Sequence, residues 1–362
     1  MKKTALFFAA SALLAALCVS SYADEPYTVT DVTGRQVTFQ SVPKKALSLG
    51  HGVLQLFVYV CGPDRLAGIE KAAAGGHSLT GQTVLLAFPE LRNLPVVGKG
   101  GPKFAPDYEQ MAYQAPDVIF MAYGNTKDEL DEFQKKVNVP VVGLALVKGA
   151  SIFSEDANRS FEIIGETMGE SRRAAEIVDF IKTARADLTG RVASVPKDGQ
   201  RVYLGGCSFR GEQGILSTKS HADLLTTVRA NNVMDSLTDQ ASVMIDREKL
   251  LDLDPDFIIV DLSGRNTIRE DMKSDPDFYK SLKAFQTKNT FAILPYFTYG
   301  MNYDTAILDL YAIGKAVHPE VFQDVDLEKK AGEIYNVFVG KNVYADLLKT
   351  YPESFQPVTV HE

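Results

Sequence analysis

The chain contains no tryptophan, five histidines and three cysteines among its 362 residues. Cys18 lies in the apolar stretch at the N-terminus, which leaves Cys61 and Cys207 beyond it. A fold held together by several disulfides is therefore excluded. Because Cys61 and Cys207 fall in different halves of the chain, we expect two buried thiols rather than a bridge, with a ligand contact as the alternative for Cys207.

The sequence also lacks the common signatures of catalysis and of metal-ion binding. It contains no nucleophile elbow, no phosphate-binding glycine loop and no His-Glu-x-x-His segment. No His-x-His pair supplies part of the three or four converging ligands that a zinc or manganese ion needs. These absences argue against an enzyme and against a site for a bare metal ion.

The N-terminus has the pattern of a secretory signal peptide over residues 1–23. Lys2 and Lys3 precede an apolar run at residues 5–17, and small residues lead up to Ala23. We expect an exported chain that begins near residue 24. A lipid anchor at Cys18 remains the alternative, although Leu17 is larger than the residue such a site prefers. No later segment approaches the roughly 20 apolar residues of a membrane span.

Net positive charge is absent too. The formal charge is −8 at pH 7, and loss of Lys2 and Lys3 with the leader takes it to −10. This balance argues against nucleic acid and against anionic lipid as partners.

An amphipathic pattern of unusual length lies in the middle of the chain. Apolar residues recur at spacings of three and four from residue 153 to Gly169, where the glycine predicts a helix end. The pattern restarts at Ser171 and continues to Pro196, so this second helix would span roughly 30–36 Å. Such a helix is long enough to cross between two domains, although a core helix within one domain would show the same pattern.

A repeat flanks this helix, with one copy at residues 106–121 and the other at residues 245–260. Glu109 matches Glu248, and the pair Pro116 and Asp117 matches Pro255 and Asp256 without a gap. In each copy a four-residue apolar run follows. The repeat predicts a helix, a tight turn and a buried strand of a covered parallel sheet.

Strand and helix patterns alternate on both sides of the long helix, after a β-hairpin pattern at residues 27–39. We expect an α/β fold of two lobes, each with a parallel sheet covered by helices, joined by one long connecting helix, with a ligand cleft between the lobes. The predicted N-terminal lobe is residues 24–168, the connecting helix 169–195 and the C-terminal lobe 196–362. The loops at the carboxyl ends of the strands should converge on the ligand.

The opening motif at residues 29–35, the two repeat units, the joining helix and the motif at residues 302–306 together resemble class III periplasmic solute-binding proteins. The resemblance covers almost the whole chain after the leader. These proteins serve ABC importers of ferric siderophores, haem, cobalamin and related metal chelates. The resemblance implies a periplasmic receptor that performs no chemistry and has a membrane permease as its partner. It also implies that Glu109 and Glu248 dock onto permease arginines. Alternatively, each is a solvated carboxylate in the first turn of a helix.

A bulky, anionic chelate needs cations for its rim oxygens and aromatic faces for its body. The loops at the strand ends contain both. We rank Arg210, Arg265 and Tyr299 first among the expected ligand-binding residues. The full set is Arg210, Arg265, Tyr299, Tyr123, Lys99, Tyr296, Phe209, Tyr303 and His51.

The expected function is that of a monomeric receptor for an iron chelate, without a resident cofactor or metal. Three alternatives stay open. The ligand would be haem, a corrinoid or another metal chelate; a bare ion or an incomplete iron shell would be bound by His51 or His77; or the protein would be an exported chelatase-like enzyme with one of these histidines as base.

Overall fold

In the computed structural model the described residues are 25–75, 81–101, 104–123, 126–145, 151–209 and 211–360. The predicted signal peptide lies outside them, as do Arg210 and His77. The described chain is an α/β protein with two main sheets, as expected. Within the described ranges, no helix has the length and apolar character of a membrane span.

The first lobe is built on a four-stranded sheet in which every pairing is parallel. Its order is β4-β3-β5-β6, and β3, β5 and β6 are buried along their whole length because helices cover both faces. An antiparallel hairpin precedes the sheet. The elements are β1 (Tyr27–Thr30), β2 (Gln36–Phe39), β3 (Ala46–Leu49), α1 (Val53–Cys61), β4 (Leu66–Ile69), α2 (Thr83–Ala87), a 3-10 turn (Pro89–Asn93), α3 (Tyr108–Gln114), β5 (Val118–Met121), α4 (Lys127–Val137) and β6 (Val141–Gly143).

The opening motif attaches the hairpin to this sheet. The Asp31 carboxylate accepts the backbone N–H groups of Thr33, Arg35 and Gly143, so it closes the hairpin turn and binds the end of β6. The buried Arg35 guanidinium pairs with Asp31 at 3.0 Å and with Asp131 of α4 at 2.8 Å. The motif therefore has a structural role.

Two consecutive helices follow β6, α5 (Glu155–Met168) and α6 (Ser171–Arg191). Gly169 ends α5 with φ of 72°, as predicted. The long helix α6 packs against α1 of the first lobe and against two helices of the second, α12 (Tyr303–Val317) and α13 (Leu327–Val339). One continuous apolar core includes residues of both lobes and of α6.

The second lobe has a mixed sheet, which differs from the parallel sheet that we expected. β7 (Arg201–Gly205), β11 (Phe257–Asp261) and β12 (Thr290–Ile293) are parallel, whereas β8 (Ser217–Thr218) and β10 (Val243–Met244) form an antiparallel edge. The chain returns from β7 to β8 through a connection too short for a crossover helix, which forces the antiparallel pairing. The remaining elements are α7 (Asp223–Thr226), β9 (Asn231–Asn232), α8 (Arg247–Leu253), a 3-10 turn (Leu262–Gly264), α9 (Arg265–Ser274), α10 (Pro276–Ser281), α11 (Lys283–Gln286) and α14 (Tyr344–Thr350).

The sequence repeat is a structural repeat. Each copy begins with an aspartate that caps a short helix: Asp107 accepts the Gln110 N–H at 3.0 Å, and Asp246 accepts the Lys249 N–H at 2.7 Å. Each helix ends at a residue with left-handed backbone and leads directly into a buried strand, β5 or β11. The predicted order of helix, turn and strand is confirmed in both copies.

The Pro-Asp pairs tie each copy to the neighbouring strand. Asp117 accepts the backbone N–H groups of Lys44 and Lys45, at 2.7 and 2.9 Å, just before β3. Asp256 accepts the N–H of Arg201 at the start of β7, at 3.1 Å. These aspartates therefore satisfy backbone donors at the strand starts.

The segment after residue 220 forms only the short helix α7, and the 3-10 turn after β11 leads directly into α9. Cys61 and Cys207 are unpaired; Cys207 is buried and Cys61 half-buried.

Candidate functional site

A loop of the second lobe inserts into the first lobe. The Gly52 N–H donates to the Tyr299 carbonyl at 3.1 Å, and the Gln82 side-chain amide donates to the Thr298 carbonyl at 2.8 Å. Tyr299 has left-handed backbone with φ of 51°, and Gly300 has φ of 120°. A Cβ on Gly300 would lie 2.3 Å from Gly52, so this close approach of the two lobes requires glycine.

The Tyr299 side chain reaches a polar cluster of the first lobe. Its hydroxyl donates to Glu70 Oε2 at 2.9 Å and accepts the Gly101 N–H at 2.8 Å. The Tyr123 hydroxyl lies 2.9 Å from the Tyr299 hydroxyl and 3.1 Å from the Gly101 carbonyl, to which it donates. We call His51, Glu70, Gly101, Tyr123 and Tyr299 the interlobe site.

Glu70 is the central acid of the interlobe site and is 1% exposed. Besides Tyr299, its Oε2 accepts the Gly50 N–H at 2.8 Å. Burial raises the pKa of the Glu70 carboxyl, and these hydrogen bonds partly offset the effect. The sequence prediction missed Glu70, although an acid directly after the buried strand β4 lies where ligands meet parallel sheets.

His51 contributes an aromatic ring and a nitrogen lone pair. Its ring centroid lies 4.6 Å from that of Tyr299 and 6.0 Å from that of Tyr123, the latter in an edge contact. Burial lowers the pKa of His51, so the imidazole is neutral at neutral pH. A neutral imidazole has one nitrogen able to accept a hydrogen bond or to bind a metal.

Aromatic packing supports the first-lobe side of this site. The centroid of the Phe104 ring lies 4.9 Å from that of Tyr123 and 5.2 Å from that of Phe133 in α4. Phe104 therefore packs the Tyr123 ring against the first lobe. Burial also raises the pKa of Tyr123 and of Tyr299 above the usual phenol range. Both phenols are therefore neutral hydrogen-bond donors at neutral pH.

Two phenols, a carboxyl and an imidazole supply oxygen and nitrogen atoms that can form hydrogen bonds to a ligand or bind a metal. No group of three or more histidine, cysteine or acidic side chains that would hold a metal ion occurs in the described part of the chain. The phenols and the Gly101 N–H offer hydrogen bonds to ligand oxygens, while Glu70 disfavours a free anion beside it.

A second set of contacts joins the lobes beneath the interlobe site. The Tyr59 hydroxyl of α1 donates to Asp304 Oδ1 of α12 at 3.0 Å. Both side chains are buried, and burial raises the pKa of Asp304 to about 6. This hydrogen bond couples the first lobe to the helix that follows the inserted loop.

Of the predicted ligand-binding residues, the structure brings together His51, Tyr123 and Tyr299. Arg265 lies elsewhere: its guanidinium donates to the Thr350 carbonyl and stacks 4.4 Å from the Tyr351 ring centroid. Phe209, in the loop after β7, is 36% exposed.

Three further predicted ligand-binding residues have other surroundings in the described structure. Tyr296 and Tyr303 are 2% and 1% exposed, and Tyr303 packs 5.4 Å from the Phe161 ring. Lys99 is exposed and lines a groove beside α3. No contact described here connects these three side chains with the interlobe site.

The two predicted docking residues occupy equivalent positions. Glu109 and Glu248 are exposed in the first turns of α3 and α8. Across the described ranges, neither is within ion-pair distance of a basic side chain. Both carboxylates are therefore available to a partner.

Comparison with known proteins identifies the family to which this chain belongs. Residues 68–296, more than half of the chain, match the family model described as periplasmic binding protein. The molybdate-binding protein MolA of Haemophilus influenzae is 24% identical over 345 residues, covering 90% of this chain and 94% of MolA. The structure of MolA bound to molybdate has a TM-score of 0.70 at 22% identity, over 87% of this chain and 98% of that chain.

Two other solved structures share the fold. A periplasmic solute binding protein from Veillonella parvula has a TM-score of 0.74 at 19% identity, over 90% of this chain and 96% of that chain. Helicobacter pylori CeuE with Ni(II) bound has a TM-score of 0.64 at 18% identity, over 90% of this chain and 99% of that chain. The chain belongs to the periplasmic binding protein family, whose members are solute-binding components of ABC importers and not enzymes.

Proposed function

We propose that the protein is an exported, monomeric receptor that binds an iron chelate at the interlobe site and delivers it to an ABC permease. The observation that carries this proposal is the convergence of two phenols, a carboxyl and an imidazole where the lobes meet. We also propose the domain boundaries 24–168 and 196–362, with residues 169–195 as the connecting helix.

Hydrogen bonding explains how the site would recognise the chelate. In this structure the Tyr299 hydroxyl occupies the donor Gly101 N–H and the acceptor Glu70. An entering ligand has to displace this hydroxyl, after which both phenols and the Gly101 N–H can donate to its oxygens. The His51 nitrogen, neutral and beside Tyr299, would complete an unfilled iron shell.

Molybdate is the second candidate because MolA is named for it. The buried Glu70 carboxyl argues against a doubly charged oxyanion at the same place, since like charges at short range repel strongly in a site with little water. Moreover, no arginine or lysine side chain takes part in the described hydrogen bonds of the interlobe site. The charge of the described site therefore favours a chelate that is neutral or positively charged over an oxyanion or an anionic chelate.

A thermal-shift panel tests this choice. Mature protein would be mixed with a ferric catecholate, a ferric hydroxamate, haem, cobalamin, molybdate, Fe(III) and Ni(II). Saturation at 100 times Kd adds about 2.7 kcal/mol, which should raise Tm by several degrees. We expect a ferric chelate to stabilise the protein and molybdate to leave Tm unchanged. Stabilisation by molybdate alone would overturn the iron-chelate assignment.

The Glu70→Gln variant sharpens the test because it keeps the shape and removes the charge. We expect it to bind the ferric chelate less tightly than the parent does. If the variant instead gains molybdate binding, Glu70 acts as the residue that rejects oxyanions. Glu132→Gln, an exposed change on α4, serves as the matched control.

We also propose Glu109 and Glu248 as the permease contacts, one from each lobe. Three observations support this role. The two glutamates occupy equivalent positions in the structural repeat, both are exposed, and neither has a basic partner among the described residues. Charge reversal at each position tests this role.

A further inference from the structure

A groove lies beside the first of the two proposed docking glutamates. Its walls are the segment 96–99 and the start of α3, and it encloses about 550 Å³. We call Lys71, Val96, Lys99, Tyr108 and Glu109 the α3 groove.

The charges in the α3 groove come from three separate parts of the chain. Lys71 and Lys99 are both exposed, and neither forms an ion pair with any residue that the structure describes. Glu109, in the first turn of α3, and Asp107, the residue that caps this helix, line the same groove. The groove therefore presents two lysines and two carboxylates, and none of Lys71, Lys99 and Glu109 has an ion-pair partner among the described residues.

The same groove exposes apolar surface. Val96 is 43% exposed and Tyr108 is 43% exposed, both large side chains at the groove wall. Exposed aromatic and apolar side chains surrounded by charged residues are typical of a protein interface, in which an apolar centre is enclosed by a polar rim.

The second copy of the repeat provides an internal comparison. Tyr108 corresponds to Arg247, whose guanidinium is paired with Asp271 at 2.6 Å and with Asp275. The groove beside that copy contains Arg247, Glu270 and Asp271, so its one cation is already neutralised. Cations without an ion-pair partner among the described residues are therefore a feature of the first-lobe groove.

We propose that the α3 groove docks a segment of the permease in which an acidic side chain lies next to a basic one. Lys71 and Lys99 take the acidic side chain, Glu109 takes the basic one, and Tyr108 and Val96 cover the apolar part. The proposal rests on the proposed docking role of Glu109 and assigns Lys99 to the partner instead of the ligand.

The backbone of the groove wall connects docking with the interlobe site. Lys99 N–H donates to the Ala105 carbonyl and Asp107 N–H to the Val97 carbonyl, so the wall and the start of α3 move together. Two residues after Lys99, the Gly101 N–H donates to the Tyr299 hydroxyl. A partner that shifts residues 97–101 would therefore disturb the contact that holds the lobes together, and docking should weaken ligand binding.

The test compares receptor variants on the permease reconstituted in lipid nanodiscs. Lys71→Glu is the primary variant because Lys71 has no predicted ligand role, and Lys71→Glu with Lys99→Glu is the stronger one. Lys135→Glu with Lys136→Glu reverses two exposed lysines of α4 and is the matched control. The measurements are the Kd for the permease at two salt concentrations, the Kd for the stabilising chelate, and the circular dichroism spectrum.

We expect Lys71→Glu to weaken permease binding about tenfold and to leave the chelate Kd of the free receptor unchanged, with the α4 control like the parent. Equal permease affinity for Lys71→Glu, the double variant and the parent, together with a loss for Glu109→Arg, would overturn the groove and keep the docking glutamates. Equal affinity for all of them, including Glu109→Arg, would overturn the proposed docking role itself. If the double variant binds the chelate less tightly in the free receptor, Lys99 contacts the ligand, and its assignment to the permease is overturned.

Discussion

The two copies of the repeat have the same backbone and different surroundings. In both, an aspartate caps the helix and a second aspartate accepts N–H groups at the neighbouring strand. Around the exposed glutamates they differ, because Tyr108 faces unpaired lysines while Arg247 is already paired. The fold constrains the aspartates, because their side chains satisfy backbone N–H groups. It does not constrain the residues around the exposed Glu109 and Glu248, so the surfaces around these two glutamates can differ.

The lobes also contribute unequally to the interlobe site. The first supplies His51, Glu70, Gly101 and Tyr123 from loops of an all-parallel sheet, and the second supplies Tyr299 on an inserted loop. Under the proposed ligand role, substitutions among the first-lobe residues should change ligand choice, and substitutions in the inserted loop should change the contact between the lobes.

Charge reversal at the two glutamates should have the largest effect. Glu109→Arg and Glu248→Arg each place a cation where a permease cation is expected, so uptake in cells should fall roughly tenfold or more, and the double variant should abolish it. The affinity of the purified receptor for its ligand should stay unchanged. The controls are Glu132→Arg and Asp252→Arg. Lower ligand affinity in the purified double variant would contradict the docking role.

The strand-start aspartates should differ in their effect on stability. Asp117 accepts two backbone N–H groups, whereas Asp256 accepts one and also pairs with the exposed Lys283, a surface ion pair that adds little. Asp117→Ala should therefore cost about 2 kcal/mol and Asp256→Ala about 1 kcal/mol. Urea unfolding midpoints measure both values. Equal losses would show that the number of accepted N–H groups does not explain the difference between the copies.

Removal of one hydroxyl tests the inserted loop. Tyr299→Phe deletes the acceptor of the Gly101 N–H and a donor to Glu70, a loss of about 1.4 kcal/mol in local stability. Hydrogen exchange at the Gly101 amide should accelerate about tenfold. Tyr113→Phe, an 83% exposed change, is the control. An unchanged exchange rate at Gly101 would mean that the hydroxyl does not hold the lobes together.

A further expected effect concerns pH and the buried acids of the second lobe. Burial raises the pKa of Asp261 to about 7 and that of Asp304 to about 6, against about 3.9 in an unfolded chain. Between about pH 4 and pH 7 the folded state therefore binds more protons than the unfolded state. The free energy of unfolding should fall as pH rises through this range and level off above it.

Asp304→Asn should flatten the part of this profile below about pH 6, because the variant keeps a hydrogen-bond acceptor for Tyr59 and removes the titration. Denaturant melts at several pH values measure it, with the exposed Asp179→Asn as control. A profile that stays as steep in Asp304→Asn would assign the pH dependence to other groups.

Several predictions from the sequence were confirmed because local rules decide them. Helical periodicity and Gly169 identified α5 and α6, and the repeat identified the order of helix, turn and strand in both lobes. The expectation of a parallel second sheet was wrong at its edge, since the short strands β8 and β10 have almost no pattern of their own.

The interlobe site was predicted only in part. Tyr123, Tyr299 and His51 meet there, yet Glu70 was missed and Arg265 packs on the C-terminal segment. Membership of a loop at the carboxyl end of a strand does not tell which way a side chain turns. Tyr296, in the same loop as Tyr299, and Tyr303, at the start of the helix that follows, show this because both turn into the core.

The sequence by itself determined the two α/β units, the long helix between them, the structural repeat and the family. These features depend on periodicity, caps and turns within a few residues of one another. The tertiary structure alone decided that Tyr299 reaches Glu70, that Gly300 lies against Gly52, and that Lys99 lines the α3 groove. These contacts join residues far apart in the chain, so they depend on the packing of whole helices and sheets, which no local pattern records.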